Sequence, residues 1–247
     1  MSFKDHFSKQ AADYAKFRPQ YPRAFFQFIE SVARDHELAL DVATGNGQAA
    51  ILLAGVFEWV IAIDASAQQI ASAQPHVGVE YRVASAESTG LPANSCDVVT
   101  VGQAVHWFDL ERFYAEVRRI LKPRGLLAVW AYIHLQIAPE IDAVVRRFYD
   151  EIVGPFWPPE RTMVENGYRD LPFPFEEIKA PPFQIEVSWT LEHLLGYLRT
   201  WSATQRFAAE HRNDPVERIA SELARSWGDA AEEHLVVWPL AIRVGRA

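Results

Sequence analysis

Two acids and two glycines in the first third of the chain are spaced for ligand chemistry. Asp41-Val42-Ala43-Thr44-Gly45-Asn46-Gly47, with Ala50 three residues on, spells G-x-G-x-x-A, and the pair Asp64-Ala65 closes the next apolar run. Glycines at a strand-to-helix turn let a ligand approach the backbone and the helix N-terminus, and an acid ending the second strand binds ribose hydroxyls. The pattern predicts an adenosine-bearing cofactor, with a tight ligand-free turn as the bland alternative. Dinucleotides use the same loop, but Asp41 stands beside it. A pyrophosphate gains nothing from a second carboxylate there, whereas a cofactor carrying an ammonium group does. Ser85-Ala86-Glu87 are small enough at their start to leave room for an adenine ring, and Gln103-Ala104 close a further apolar run, where ligands collect.

Catalytic machinery of other kinds is not spelled out. There is no G-x-S-x-G elbow, the eight histidines show no H-x-x-x-H spacing, and Cys96 is the single cysteine, so no metal site is expected. His106 is the one candidate base, since an imidazole titrating near pH 6.5 deprotonates hydroxyl or amine acceptors. The alternative is a histidine that hydrogen-bonds backbone and positions Trp107. Trp107 offers an aromatic face to a cation. Arg199 and Trp201 are candidate acceptor-pocket residues, the arginine for an anionic group; helix packing and a surface charge are their rival reading.

These residues need a scaffold that holds them at one edge. From Leu38 onward, β-type runs (38–43, 59–63, 79–83, 97–101, 126–131) alternate with helical stretches (47–54, 67–73, 110–121), the pattern of a mainly parallel sheet with helices on both faces. Ser66 and Asp109 are placed to cap two of the helices, and Lys122-Pro123-Arg124-Gly125 reads as a stop and turn. Pro22 opens a helix reaching about His36. A helical stretch at 139–152 precedes a Pro- and aromatic-rich region, 154–175, read as a lid. A strand at 183–188, helices at 191–202 and 215–227, and a strand at 234–244 complete the chain. The expected organisation is one domain over 1–247: a cap (1–36), a cofactor-binding core (37–131), an insertion (132–182) and a C-terminal completion of the sheet (183–247).

Composition narrows the partners. The net charge of −8 argues against a basic face that tracks nucleic acid, and the start of the chain lacks a signal-peptide core, with no long apolar run after it. A cytoplasmic protein without membrane contact is expected, monomer or homodimer being left open. Aromatic residues make up 13% of the chain and fall mostly outside the sheet-forming runs, more than core packing alone accounts for.

The run Asp41-x-x-x-Gly45-x-Gly47, the acid Asp64, Ala86-Glu87 before Leu91-Pro92, and Glu116-Val117-x-x-Ile120-Leu121-Lys122-Pro123 resemble the successive motifs of class I S-adenosylmethionine-dependent methyltransferases. Phe7-Ser8-x-x-Ala11-x-x-Tyr14-Ala15-x-Phe17-Arg18-Pro19-x-Tyr21-Pro22, then Gln103-Ala104-Val105-His106-Trp107-Phe108-Asp109 and Gly196-Tyr197-Leu198-Arg199-Thr200-Trp201, are similar to its small-molecule branch, which includes trans-aconitate methyltransferase-like proteins. Two positions depart from the family pattern: Ala43 and Arg124 stand where glycine is usual. The resemblance implies an α/β, Rossmann-like sheet of seven strands whose last hairpin is reversed. It implies S-adenosylmethionine as cofactor and S-adenosylhomocysteine as product. Asp41, Ala43, Gly45, Asn46 and Gly47 then face the methionine part, Asp64 and Ala65 the ribose, and Ser85, Ala86 and Glu87 the adenine. Gln103 and Ala104 lie beside them, Arg18 takes the cofactor carboxylate, and Tyr14, Tyr21, Trp107, Arg199 and Trp201 line the acceptor pocket.

Methyl transfer from a sulfonium is an in-line displacement that needs placement and exclusion of water, and a carboxylate acceptor needs no base at pH 7. The expected activity is methyl transfer to a small organic molecule, a carboxylate being one acceptor. An NAD-linked oxidoreductase and a non-catalytic cofactor- or partner-binding protein on the same fold are the competing readings.

Overall fold

The computed structural model describes residues 17–247. Tyr14 and the start of the N-terminal motif lie outside the described residues. The described chain builds one eight-stranded sheet: β1 (Leu38–Val42), β2 (Trp59–Asp64), β3 (Val79–Val83), β4 (Cys96–Gly102), β5 (Leu121–Tyr132), β6 (Glu176–Ile178), β7 (Gln184–Trp189) and β8 (His234–Arg246). Across it the order is β3-β2-β1-β4-β5-β8-β6, with β7 also paired to β8. The first five strands are parallel and β8 is antiparallel to β5. β1 and β4 are nearly continuous apolar runs because helices cover both faces.

The expected seven strands become eight because β8 is long enough to pair β6 and β7 as well as β5. Its C-terminal end pairs β6 at Gly245, while His234–Pro239, running past the end of β5 at Tyr132, pairs β7. Glu176-Glu177, assigned by sequence to the insertion, are therefore strand residues, and Glu177 is ion-paired to Arg243. Period-two alternation over three residues is too short a signal to read.

The helices are α1 (Arg23–Val32), α2 (Gln48–Leu53), α3 (Ala67–Ser72), α4 (Leu110–Ile120), α5 (Pro139–Arg147), α6 (Arg161–Glu165), α7 (Leu191–Arg199), α8 (Ser202–His211) and α9 (Glu217–Trp227). The Ser66 hydroxyl accepts from Gln69 N–H and the Asp109 carboxylate from Arg112 N–H, both at 3.3 Å, as N-caps do. α1 stops four residues short of His36, since Leu38 must already pair with Trp59. α4 does stop just before Lys122-Pro123-Arg124-Gly125, but that segment is no turn: it is a bulged start of β5, with the register shifting between Cys96 and Val98 and Arg124 at φ 68°. α8 is a separate helix that the sequence pattern does not announce. The single helix read at 191–202 breaks at Thr200-Trp201, where Trp201 turns extended (ψ 137°) and buries its ring.

Three apolar clusters follow. Two sandwich the sheet, one under α1 and α2 with Phe25, Phe26 and Trp130, the other under α4 with Phe113 and Ile120. The third lies past the end of β5 and is dominated by aromatics: Tyr132, Phe148, Tyr149, Trp189, Tyr197, Trp201 and Trp238. The region 154–175 is not a loosely attached cover. Tyr168, Leu171 and Phe175 are buried in the α4-side cluster, so its aromatics do not form an exposed partner patch. Among the described residues no helix is long and apolar enough to cross a membrane.

Candidate active site

The strand order reverses between β1 and β4, and a crevice opens at the carboxyl ends of strands on either side of such a switch point. Five strand ends converge there, carrying residues 43–47, 64–66, 84–87, 103–107 and 133–136. The sequence-selected residues Ala43, Gly45, Asn46, Gly47, Asp64, Ala65, Ser85, Ala86, Glu87, Gln103 and Ala104 thus lie on one edge of the sheet.

Within the loop after β1, Ala43, Gly45 and Gly47 have φ of 55°, 58° and 89°. A Cβ on Gly47 would sit 2.2 Å from the Tyr81 hydroxyl, so the loop is pressed against β3. Asp64 ties this loop to the end of β2. Its Oδ2 accepts from Gly45 N–H at 3.0 Å and its Oδ1 from Ser66 N–H at 2.8 Å. A carboxylate at the end of β2 is the acceptor type a vicinal diol needs. Ala65 and Ser85 are exposed and Ala86 is buried; Glu87 accepts from Asp109 N–H at 3.1 Å, fixing the post-β3 segment to the α4 cap. Glu116, the motif acid of α4, serves the scaffold and not the ligand, since Arg119 and both donors of Thr89 hold its carboxyl down at about 2.

Asp41 is buried at the end of β1. Its Oδ1 accepts from the Thr100 hydroxyl at 2.7 Å, and its Oδ2, equally buried, makes no hydrogen bond to a described residue, the Thr44 hydroxyl that eases its charge included. Burial pushes the carboxyl up to about 6 against the opposing pull of Thr44 and Thr100. An orphaned, desolvated carboxylate oxygen beside an open-glycine loop fits a cationic ligand group, and it disfavours a pyrophosphate. The residues therefore fit S-adenosylmethionine, whose ammonium, ribose and adenine match Asp41, Asp64 and the 84–87 segment in turn. Thr100 and Tyr81, which set the environment of Asp41 and Gly47, carry no sequence signal; their positions in register beside Asp41 and Ala62 are tertiary facts.

Gln103, the first residue past β4, is also left-handed (φ 59°), and its Nε2 donates to the Tyr132 carbonyl at 3.0 Å. Arg18 reaches the same tyrosine, donating from Nη1 to the Tyr132 hydroxyl at 2.7 Å and from Nη2 to the Thr200 carbonyl at 3.3 Å. Phe17 packs so closely on Gly196 that a Cβ there would lie 2.4 Å from its ring. The two distant motifs around residues 17–22 and 196–201 are thus one contact. Arg18 and Tyr21 line a cavity of about 450 Å³ against β7, separate from the one that holds Trp201.

Two sequence assignments are corrected. His106 does not titrate near neutrality: burial pushes it down to about 3, helped by the Arg161 charge, and its Nδ1 lies 3.0 Å from the Tyr168 hydroxyl. Trp107 packs beside it, ring centroids 4.9 Å apart. Arg199 does not face an acceptor, since Asp214 and Glu217 both hold its guanidinium at 2.6 Å. The cavity beside Trp201 presents instead His134, Arg146, Tyr149, Arg161 and Tyr197, in a volume of about 340 Å³ beyond the end of β5. Of these five only Tyr197 falls in a quoted motif, and none was named for the acceptor pocket; the two lone arginines carry no spacing signal.

A family model described as a methyltransferase domain matches residues 40–129. A putative methyltransferase of Dictyostelium discoideum is 33% identical, aligning 91% of this chain with 87% of its own. The chain belongs to the class I S-adenosylmethionine-dependent methyltransferases. A solved structure of a putative type II methyltransferase from Anaeromyxobacter dehalogenans is 48% identical to this methyltransferase, with a TM-score of 0.88 over 93% of this chain and 98% of that one. A putative methyltransferase of Anabaena variabilis, 17% identical with a TM-score of 0.54 over 87% and 96%, shares the fold.

Proposed function

We propose that this methyltransferase methylates a carboxylate oxygen of a small organic acid, in the manner of the small-molecule branch that its long motifs resemble. The observation that carries the reading is the cavity beyond β5. It opens on the same sheet edge as the cofactor loops, its walls are aromatic, and two guanidinium groups border it. The net charge of −8 further supports a small acceptor over a nucleic acid.

S-adenosylmethionine, when bound, supplies an electrophilic methyl group on a sulfonium. Asp41 holds the ammonium, Asp64 the ribose diol, and the 84–87 segment the adenine. Gln103, strained and anchored to Tyr132, fixes the floor between crevice and cavity. Tyr149, Trp201 and Tyr197 exclude water, so that an ionised acceptor is stripped of its hydration shell before it attacks. One C–O bond forms as the C–S bond breaks, and no proton moves. That agrees with a site whose imidazoles, His134 in the cavity lining and His106 past β4, are both made less basic by burial.

Incubating the protein with methyl-labelled S-adenosylmethionine and a metabolite extract tests this. A labelled, alkali-labile ester of low mass is expected. Label confined to macromolecules, or to alkali-stable products, overturns the reading.

A further inference from the structure

Arg161 stands at the start of α6 in the middle of the lid region. Its Nε donates to the Tyr149 hydroxyl at 2.8 Å, and its guanidinium carbon lies 4.8 Å from the Trp157 ring centre and 5.6 Å from that of Tyr149. These contacts hold a long side chain in one pose. They engage one edge of the guanidinium and leave the two terminal amino groups, Nη1 and Nη2, with no hydrogen bond and no salt bridge to any described residue. Glu165, one turn on along α6, is linked to Arg161 through the Tyr149 hydroxyl, which donates to it at 2.5 Å. The one carboxylate in the cavity lining, Asp142, already accepts from Ile137 N–H at 2.9 Å.

Arg161 lines the same cavity as His134, past β5, and its charge adds to burial, the larger cause, in lowering the basicity of His106, past β4. A half-buried cation that is preorganised by aromatic faces and lacks a counter-ion is the usual setting for a bound carboxylate.

We propose that Arg161, carried on α6, is the specificity-determining residue that captures the anionic group of the acceptor, and that the same contact releases the product. This rests on the small-acid reading above. Methylation converts the bound carboxylate into a neutral ester, with the new C–O bond formed at the expense of the C–S bond. The guanidinium then faces an uncharged group, and the attraction that held the acid is gone. Arg146, at the mouth of the cavity, adds a long-range pull on anions and no fixed contact.

The test separates a metabolite extract by anion exchange into retained and flow-through fractions and assays each with methyl-labelled S-adenosylmethionine. Wild-type protein is expected to label compounds from the retained fraction only. Arg161→Met should need at least ~10-fold more of that fraction for half-maximal rate, while binding S-adenosylhomocysteine as the wild type does, which also shows that it folds. Arg161→Lys, which keeps the charge without the fork, should fall between them. Methyl acceptors found only in the flow-through overturn the inference while small-molecule methylation stands, and so does an Arg161→Met protein with wild-type dependence on the retained fraction. Absence of any labelled small molecule overturns the underlying reading and the inference with it.

Discussion

The Nδ1 of His106 lies 3.0 Å from the hydroxyl of Tyr168, a tyrosine with no exposed surface. The pair joins the segment after β4 to the lid, and it makes the histidine beside the crevice a buried, neutral one. Replacing His106 with Ala should change kcat by less than about tenfold, well short of the roughly 10²–10⁴ that loss of a general base costs. The kcat profile should show no limb between about pH 6 and 8. Chemical denaturation should reveal a loss of about 1–3 kcal/mol for the stranded Tyr168 hydroxyl. His106 also makes stability pH-dependent. Its folded pKa of about 3 lies below the ordinary 6.5, so the unfolded chain binds the extra proton in that window and stability falls as pH drops from 6.5 toward 3.

Asp41 behaves in the opposite sense. Its folded pKa is raised from 3.8 to about 6, so the native state holds the proton more tightly and stability declines as pH rises from about 4 through 6. At about pH 8, Asp41→Asn should raise the stability of the cofactor-free protein, by up to about 3 kcal/mol. The same variant should weaken S-adenosylmethionine by more than about tenfold, because the ammonium loses its anion. In the wild type, calorimetric titration should show affinity falling as pH drops below about 6.

Ala43 occupies a left-handed position (φ 55°) in which a Cβ costs roughly 1–2 kcal/mol. Ala43→Gly should raise the melting temperature with cofactor affinity retained, the gain being trimmed by the greater freedom of glycine in the unfolded chain. Ala43→Val should lower both.

Gly47→Ala should do the reverse of Ala43→Gly, since its Cβ would meet the Tyr81 hydroxyl at 2.2 Å at a φ of 89°. Loss of cofactor binding is expected, and Tyr81→Ala in the same chain, which removes the clashing hydroxyl and ring together, should restore part of it. No restoration would show that backbone conformation alone sets the requirement.

Arg199→Met should leave the acceptor KM within about twofold and cost at most ~1 kcal/mol, as its two ion pairs are substantially exposed. A large KM change would return Arg199 to the acceptor pocket.

The cofactor edge was legible because its determinants are local. Gly45, Gly47, Asp64 and the caps Ser66 and Asp109 mark strand ends within a few residues of the elements they terminate, and a parallel sheet brings successive carboxyl ends to one edge. The acceptor side was not legible. Arg161, Tyr149 and His134 come from three separate segments past β5, and no spacing relates them. Arg199 misled because a cation next to Trp201 looks free until Asp214 and Glu217 fold back on it.

The sequence by itself determined the strand–helix alternation, the glycine turn and the placing of two acids at successive strand ends. Only the tertiary structure decided that β8 serves three partners, that burial silences His106, that Asp41 is left with an orphaned oxygen, and that Arg161 rather than Arg199 faces the cavity. The physical reason is that backbone pattern is written in neighbouring residues, whereas protonation and the pairing of charges depend on which distant groups share a desolvated space.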